Sequence, residues 1–230
     1  MQRSLQVTPN FRSDMLSCGL ARKDMDYPQP SPFQPLPPWS VLPFSTEAEG
    51  RHLSTFLPTA DGLFHIYTDG SKTAFTTGYA ILIVNKEGIL DLIQRRLEND
   101  CSIFEAETRA ISEALLSCRK NIPPGSVIKI FTDSRQAVSS VTSTKKILWF
   151  TRQLQQNLVD IGTKFGLTLL WVKSHSNNAG NNLADKYARG TQFLPRNTQR
   201  SILSWKDTKL MILSFFKRLW KEEWRLSKKG

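Results

Sequence analysis

The chain has 230 residues, which allows one ordinary domain and flanking segments. Its composition, 40% hydrophobic and 22% charged, is typical of globular proteins, and no apolar run approaches the ~20 residues that span a bilayer. The polar N-terminus predicts no secretory signal. Three cysteines without zinc spacing (Cys18, Cys101 and Cys118) predict reduced thiols. We therefore expect an intracellular protein, nuclear or cytoplasmic, with no membrane partner.

The net charge of +11 is unevenly distributed, since residues 191–230 hold ten basic and three acidic side chains. A basic balance favours a polyanionic partner, because phosphate contacts supply affinity for any sequence. A solvated surface would explain the charge almost as well. On charge alone, nucleic acid is only slightly favoured.

Residues 1–60 are predicted to be a linker, extended or disordered up to about Leu57. Six prolines within residues 27–38 block a helix and a central strand alike. From residue 61 the pattern changes. Apolar and β-branched runs predict strands at 63–69, 78–84 and 89–97, the last two joined as a hairpin with Gly88 in its turn.

Helical periodicity follows at residues 104–120, and a buried strand is predicted at 127–133. Helices at 134–141 and 147–165, a strand at 167–173 and a helix at 179–190 complete the domain, which we place at 61–192. The expected fold is α/β. It has a mixed five-stranded sheet, a three-strand meander followed by alternating strands and helices, with helices on its faces.

Residues 193–230 are predicted to form a basic tail with one amphipathic helix over 204–229. Its apolar stripe consists of Leu213, Phe216, Trp220 and Trp224, with lysines and arginines opposite. The helix could dock onto a nucleic-acid duplex or a partner domain. It could equally fold back onto the protein's own surface.

Four acidic residues stand out by position. Asp69 and Asp133 each end a predicted strand, and strand ends at one sheet edge are where open α/β folds place ligands. Glu107 lies on the apolar face of its helix, where a carboxylate is costly unless something compensates it. Asp185 lies among apolar residues of the last helix. Their convergence predicts a site for hard divalent cations, with Mg²⁺ or Mn²⁺ fitting best.

Taken singly, each acid has a simpler interpretation. Asp133 could cap the helix that follows it, and Asp69 or Asp185 could be a solvated charge. Only the set of four favours a metal site over these alternatives.

Four motifs carry a family resemblance: YTDGSK at 67–72, FEAETRAI at 104–111, IFTDSRQA at 130–137 and WVKSHSNNAGNNLAD at 171–185. Together they resemble the four signature blocks of type 1 ribonuclease H, over about 130 residues. The residues within these motifs are similar to those of the domain found in polyproteins of jockey-like non-LTR retrotransposons. The tail and the stretch around Trp39 also resemble the flanks of that domain.

The resemblance implies cleavage of the RNA strand of RNA–DNA hybrids with two Mg²⁺ ions, or Mn²⁺. Asp69, Glu107, Asp133 and Asp185 would be the metal ligands. Asp69 would bridge both ions, Asp185 would serve the ion that activates water, and the other two acids would serve the ion at the leaving oxygen. His175, in a loop rich in serine, asparagine and glycine, would transfer protons or help product departure.

Substrate contacts implied by the resemblance are Gly70 and Ser71, where the backbone approaches RNA, and the polar side chains Ser134 and Asn181. The chain departs from cellular relatives in three places. Ser102 and its neighbours replace asparagines, which bears on 2′-hydroxyl discrimination. Asn182 replaces a glutamate that is not a metal ligand, and the short loop 141–146 leaves no room for a basic handle helix.

The leading hypothesis is an active ribonuclease H, a monomer whose partners are the hybrid and an upstream reverse transcriptase domain. The alternative is a non-catalytic, nucleic-acid-binding remnant of a retrotransposon polyprotein. A DDE transposase or integrase is disfavoured, because its glutamate comes last whereas Glu107 comes second.

Overall fold

The computed structural model describes residues 42–48, 55–99, 101–143, 149–174 and 178–195, and six single positions between 213 and 225. Contacts divide the chain into two units, and the sheet domain lies within Pro30–Asn197. The six single positions belong to the other unit. No helix among the described residues is both long enough and apolar enough to cross a membrane.

The domain is built on one mixed sheet of six strands. They are β1 (Phe44–Ala48), β2 (Leu63–Lys72), β3 (Thr77–Asn85), β4 (Gly88–Leu97), β5 (Val127–Thr132) and β6 (Gly166–Trp171). Their order across the sheet is β1-β6-β5-β2-β3-β4. β2, β3 and β4 form the expected antiparallel meander, while β5, β6 and β1 continue the sheet in parallel on the other side of β2. The predicted α/β fold and its five strands are confirmed.

The sixth strand, β1, corrects the expected count of five. It lies within the segment 1–60 that was expected to be linker, and it pairs with β6 at the edge of the sheet. Nearby prolines argue against a central strand, but an edge strand needs hydrogen bonds on one side only. Phe44 is buried in the core, and the Ser45 hydroxyl donates to Thr168 Oγ1 at 3.0 Å.

Four helices cover the sheet: α1 (Ile103–Asn121), α2 (Arg135–Val141), α3 (Trp149–Gly162) and α4 (Ala179–Gly190), followed by a 3-10 turn, Thr191–Phe193. Successive residues of β2 point to opposite faces of the sheet. Ile66 joins the larger core under α1 and α3, whereas Tyr67 joins the smaller core under α4. The long helix ends at Gly162, three residues before the predicted Phe165.

Side-chain caps fix where three of these helices begin. Ser102, Ser134 and Asn178 each accept a hydrogen bond from a backbone N–H of the first turn of α1, α2 and α4 respectively. The cap of α2 is therefore Ser134, so the interpretation of Asp133 as a helix cap is wrong.

The tail is helical at all six described positions. Leu213, Trp220 and Trp224 are exposed, and the two tryptophan rings lie 5.7 Å apart. Lys217, Lys221 and Arg225 are also exposed. Phe216, the fourth member of the predicted stripe, lies outside the described residues.

Candidate active site

Two neighbouring parallel strands bring Asp69 and Asp133 together. Thr68 on β2 pairs with Thr132, the last residue of β5, and each aspartate follows its threonine directly. Asp69 is buried and Asp133 is half-buried. The two carboxylates interact, as the effect of Asp133 on the Asp69 pKa described below shows.

Glu107 reaches the same place from α1. Its neighbours on the helix face are buried apolar residues, as the sequence predicted, and it is itself 6% exposed. Its carboxylate lies over Gly70, where an added Cβ would be 3.0 Å from Glu107 Cδ. The Gly70 backbone forms a hydrogen bond with this carboxylate. A glycine at position 70 therefore makes room for the third acid.

Asp69, Glu107 and Asp133, here called the carboxylate trio, each offer one oxygen within 4.8 Å of the others. Asp69 Oδ2 and Glu107 Oε2 are buried and have no hydrogen-bond partner among the described residues. Buried polar atoms are nearly always paired in folded proteins. Two unpartnered carboxylate oxygens on members of the trio are what an oxygen-ligated cation would satisfy.

The pKa values of two trio members, Asp69 and Glu107, reflect their burial and the closeness of the other carboxylates. Burial, together with the charges of Asp133 and Asp185, raises the pKa of Asp69 to about 8, against the opposing charge of Arg189. Burial also raises the pKa of Glu107 well above its usual range, with the charges of Asp69 and Asp133 adding to the effect. Bound cations would lower these pKa values, because they stabilise the ionised carboxylates.

Asp185, the fourth predicted ligand, lies beside the trio but is not one of its three members. It sits on α4, and Arg189, one turn later, binds both its oxygens: Nε lies 2.8 Å from Oδ1 and Nη2 lies 2.8 Å from Oδ2. Asp185 is near enough to raise the pKa of Asp69 and Glu107. The structure thus brings three of the four acids together and places the fourth next to them in an ion pair.

Sequence reasoning missed two side chains that support the site. Arg189 could have been found from its i,i+4 spacing to Asp185. Trp171 donates from Nε1 to the Asp133 carbonyl oxygen at 3.1 Å, and the Arg135 guanidinium lies 4.2 Å from the Trp171 ring centre. The contact of Trp171 spans 38 residues, so no local pattern predicts it.

The expected substrate contacts lie around the trio with different degrees of access. Gly70 and Ser71 are half-buried at the end of β2, and Ser134 is half-buried at the start of α2. Asn181 is 1% exposed, and its Oδ1 has no partner among the described residues. His175 lies outside the described residues.

The solved structures to which this chain is similar include ribonuclease H proteins. The RNase H1 of the halophilic archaeon Halobacterium salinarum is 18% identical, with a TM-score of 0.44 over 56% of this chain and 97% of that one. The N-terminal RNase H domain of a Mycobacterium tuberculosis protein, solved as a fusion with maltose-binding protein, is 17% identical with the same score and coverage. No curated protein matched this sequence.

The family comparison covers more than half of the chain. The model of the RNase H family matches residues 62–192, which contain the five predicted strands, all four helices and the carboxylate trio. The chain therefore belongs to the ribonuclease H family.

Proposed function

We propose that this protein is an endoribonuclease that hydrolyses the RNA strand of RNA–DNA hybrids with two divalent cations, Mg²⁺ or Mn²⁺. The observation that carries the proposal is the carboxylate trio, with its two buried and unpartnered oxygens. A fold that merely bound nucleic acid would gain nothing from three acids held together at this cost.

The donor set fits hard cations. It consists only of carboxylate oxygens, the ligands that Mg²⁺ and Mn²⁺ prefer, with neither cysteine nor histidine among the described members. When bound, the cations supply an activated water and neutralise charge on the scissile phosphate.

Each acid has a proposed place in this site. Asp69 would hold both cations. Glu107 and Asp133 would hold the cation that neutralises the leaving 3′ oxygen, and Asp185 would help to hold the cation that activates water. The products carry 5′-phosphate and 3′-hydroxyl ends. His175 moves a proton near the attacking water or the product, as a group that titrates near neutrality.

Substrate recognition is proposed to depend on backbone shape and the 2′-hydroxyl rather than on base edges. Gly70 and Ser71 lie near the end of β2, where backbone can approach the RNA strand, and Ser134 lies at the start of α2, after the neighbouring strand β5. Ser134 already accepts a bond from the Ala137 amide, so its hydroxyl proton remains to be donated to substrate. Asn181 would need its surroundings to open before it could touch RNA.

The proposal also covers the organisation of the chain. Residues 61–192 form the catalytic domain, 1–60 a linker that contributes β1, and 193–230 a basic tail. The motifs favour an origin in a jockey-like non-LTR retrotransposon. In that setting the tail contacts the upstream reverse transcriptase domain or its product duplex, and the exposed Trp220, Trp224 and Lys221 suit such a contact.

The test is cleavage of a labelled hybrid by the full chain with Mg²⁺ or Mn²⁺, beside the same RNA alone and the same sequence as duplex DNA. We expect cuts in the RNA of the hybrid only. Asp133→Asn should slow them by more than about 100-fold, because metal-assisted charge stabilisation contributes several kcal/mol. Asp160→Asn removes the same charge from the exposed face of α3 and should cut like the parent.

An intact hybrid at every concentration of both metals would sink the proposal. So would an Asp133→Asn variant that cuts as fast as the parent. Hybrid binding without cleavage would favour a non-catalytic remnant instead.

A further inference from the structure

Asp185, the acid that would bind the second cation, already forms an ion pair with Arg189. The guanidinium binds both oxygens of Asp185 in a parallel fork, with both N···O distances at 2.8 Å. Such bidentate, charge-assisted bonds are among the stronger hydrogen bonds of proteins. A cation at Asp185 must therefore share these oxygens or displace the guanidinium.

The pair lies next to the trio but is not part of it. One oxygen from each trio member lies within 4.8 Å of the others, and Asp185 is not part of that group. The side chain of Arg189 is 60% exposed and that of Asp185 is 26% exposed. The pair can therefore open toward solvent at modest cost, since ion pairs in contact with water contribute little to stability.

We propose that Arg189 is a positioning residue that competes with the second cation for Asp185, so that the trio binds its cation first and the Asp185 side fills only at higher concentration. The inference rests on the proposed metal-dependent function. It adds that the two sides of one site differ in affinity, and that a single guanidinium sets the difference.

Arg189 could instead orient Asp185 for the cation, and its removal would then weaken metal binding rather than tighten it. Residues that hydrogen-bond a metal ligand often orient it, and their removal weakens metal binding. Here the fork binds both oxygens at once. Competition therefore follows from the geometry, and removal of Arg189 should tighten binding.

The experiment measures Mn²⁺ binding by the full chain without nucleic acid, from the loss of the free-ion paramagnetic signal and from calorimetry. The parent should show a tighter and a weaker step. Arg189→Gln should tighten the weaker step by about fivefold, the factor that corresponds to about 1 kcal/mol of released pairing. The tighter step should not change. Arg189→Lys, which keeps the charge and loses the fork, should fall between the two.

Two controls separate competition from general charge and from damage to α4. Lys186→Gln removes the same charge from an exposed neighbour on the same helix and should bind like the parent. Arg189→Gln added to Asp185→Asn should leave binding as it is in Asp185→Asn alone, because Arg189 acts only through Asp185. Circular dichroism checks that each variant is folded.

Weaker or unchanged binding in Arg189→Gln would overturn the inference, as would a single binding step in that variant. An equal gain in Lys186→Gln, or a gain that survives Asp185→Asn, would also overturn it. Because no step measures cleavage, a chain that binds cations as described but leaves hybrids intact would refute the proposed activity and uphold this inference.

Discussion

Gly180, in the first turn of α4, lies directly against the ring of Tyr67 on β2: a Cβ at position 180 would fall 2.3 Å from Tyr67 Cζ. The ring cannot retreat, because it is fully buried and stacked on Phe131 with 4.8 Å between ring centres. Its hydroxyl donates to the Phe56 carbonyl oxygen at 3.0 Å. The contact between glycine and ring therefore fixes how closely α4, which carries Asp185, approaches the sheet.

Gly180→Ala should destabilise the protein by roughly 2 kcal/mol, because overpacking a filled core costs about 1–3 kcal/mol and outweighs the gain in helix propensity. The free energy of unfolding in urea measures this. Gly190→Ala is the matched control in the same helix, since its Cβ would meet only Gln94 Nε2 at 3.4 Å. If the two variants were equally stable, the close packing described for α4 would be wrong.

Gly70→Ala should damage the metal site more than the fold. The new methyl would lie 3.0 Å from Glu107 Cδ and Oε1, so the carboxylate must move by a few tenths of an ångström from its place in the trio. We expect Mn²⁺ affinity to fall by about tenfold, which is typical when a ligand loses its orientation. Gly166→Ala is the control, because its nearest neighbour is at an ordinary 3.4 Å. Unchanged Mn²⁺ binding in Gly70→Ala would mean that the close approach of Glu107 to Gly70 does not set the metal affinity.

The metal-free protein should lose stability as the pH rises. The pKa of Asp69 is about 8 in the folded chain against an ordinary value of 3.8, so between these values the folded state holds a proton that the unfolded state has lost. Stability is then complete at low pH and falls as the pH rises toward about 8. Glu107, whose pKa is also raised, adds to the slope.

Urea unfolding in a chelator across this pH range measures the slope, and Asp69→Asn should flatten it. Saturating Mg²⁺ should abolish it and raise the melting temperature, most of all near pH 8. A slope that Asp69→Asn leaves intact would assign the effect to other groups. A melting temperature indifferent to Mg²⁺ and Mn²⁺ would favour the non-catalytic remnant.

Trp171→Phe tests whether the hydrogen bond from Trp171 holds Asp133 in place. The change removes the Nε1 donor to the Asp133 carbonyl oxygen and keeps an aromatic ring beneath Arg135. A net hydrogen bond contributes about 1 kcal/mol, so we expect a loss of that order in unfolding free energy. The metal concentration for half-maximal hybrid cleavage should also rise, which Arg135→Gln, with the indole donor intact, should not cause. An unchanged metal requirement would limit Trp171 to a structural role.

Local patterns in the sequence predicted most of the fold. Alternating and periodic apolar residues located five strands and four helices, and Gly88 correctly marked the turn between β3 and β4, where its φ is 143°. Neighbouring strands predicted the meeting of Asp69 with Asp133, although β2 continues to Lys72 and Asp69 lies within the strand rather than at its end. An acid on an apolar helix face predicted the burial of Glu107. These features depend on residues close in sequence or on general rules of sheet topology.

Two of the features that the sequence did not predict depend on distant contacts. The bond from Trp171 to Asp133 and the packing of Gly180 on Tyr67 join separate elements, so no spacing encodes them. The pairing of Arg189 with Asp185 could have been predicted from their spacing on the helix. The family resemblance assigned Asp185 to a metal instead, so this ion pair was not predicted. β1 was missed because the prolines around it indicated a linker.

The edge strand β1 provides the last prediction. Phe44 is 8% exposed in the core, and α3 ends against the same segment, since a Cβ on Gly162 would lie 2.4 Å from the Pro43 carbonyl oxygen. A chain of residues 49–230, which lacks β1 but keeps Phe56 against Tyr67, should therefore be about 2 kcal/mol less stable than one of residues 42–230. This is the order of one buried aromatic side chain. Both should keep the carboxylate trio and bind Mn²⁺ equally, because β1 is separated from β2 by β6 and β5. Urea midpoints of the two chains measure the difference, and equal midpoints would mean that β1 adds nothing to the stability of the sheet.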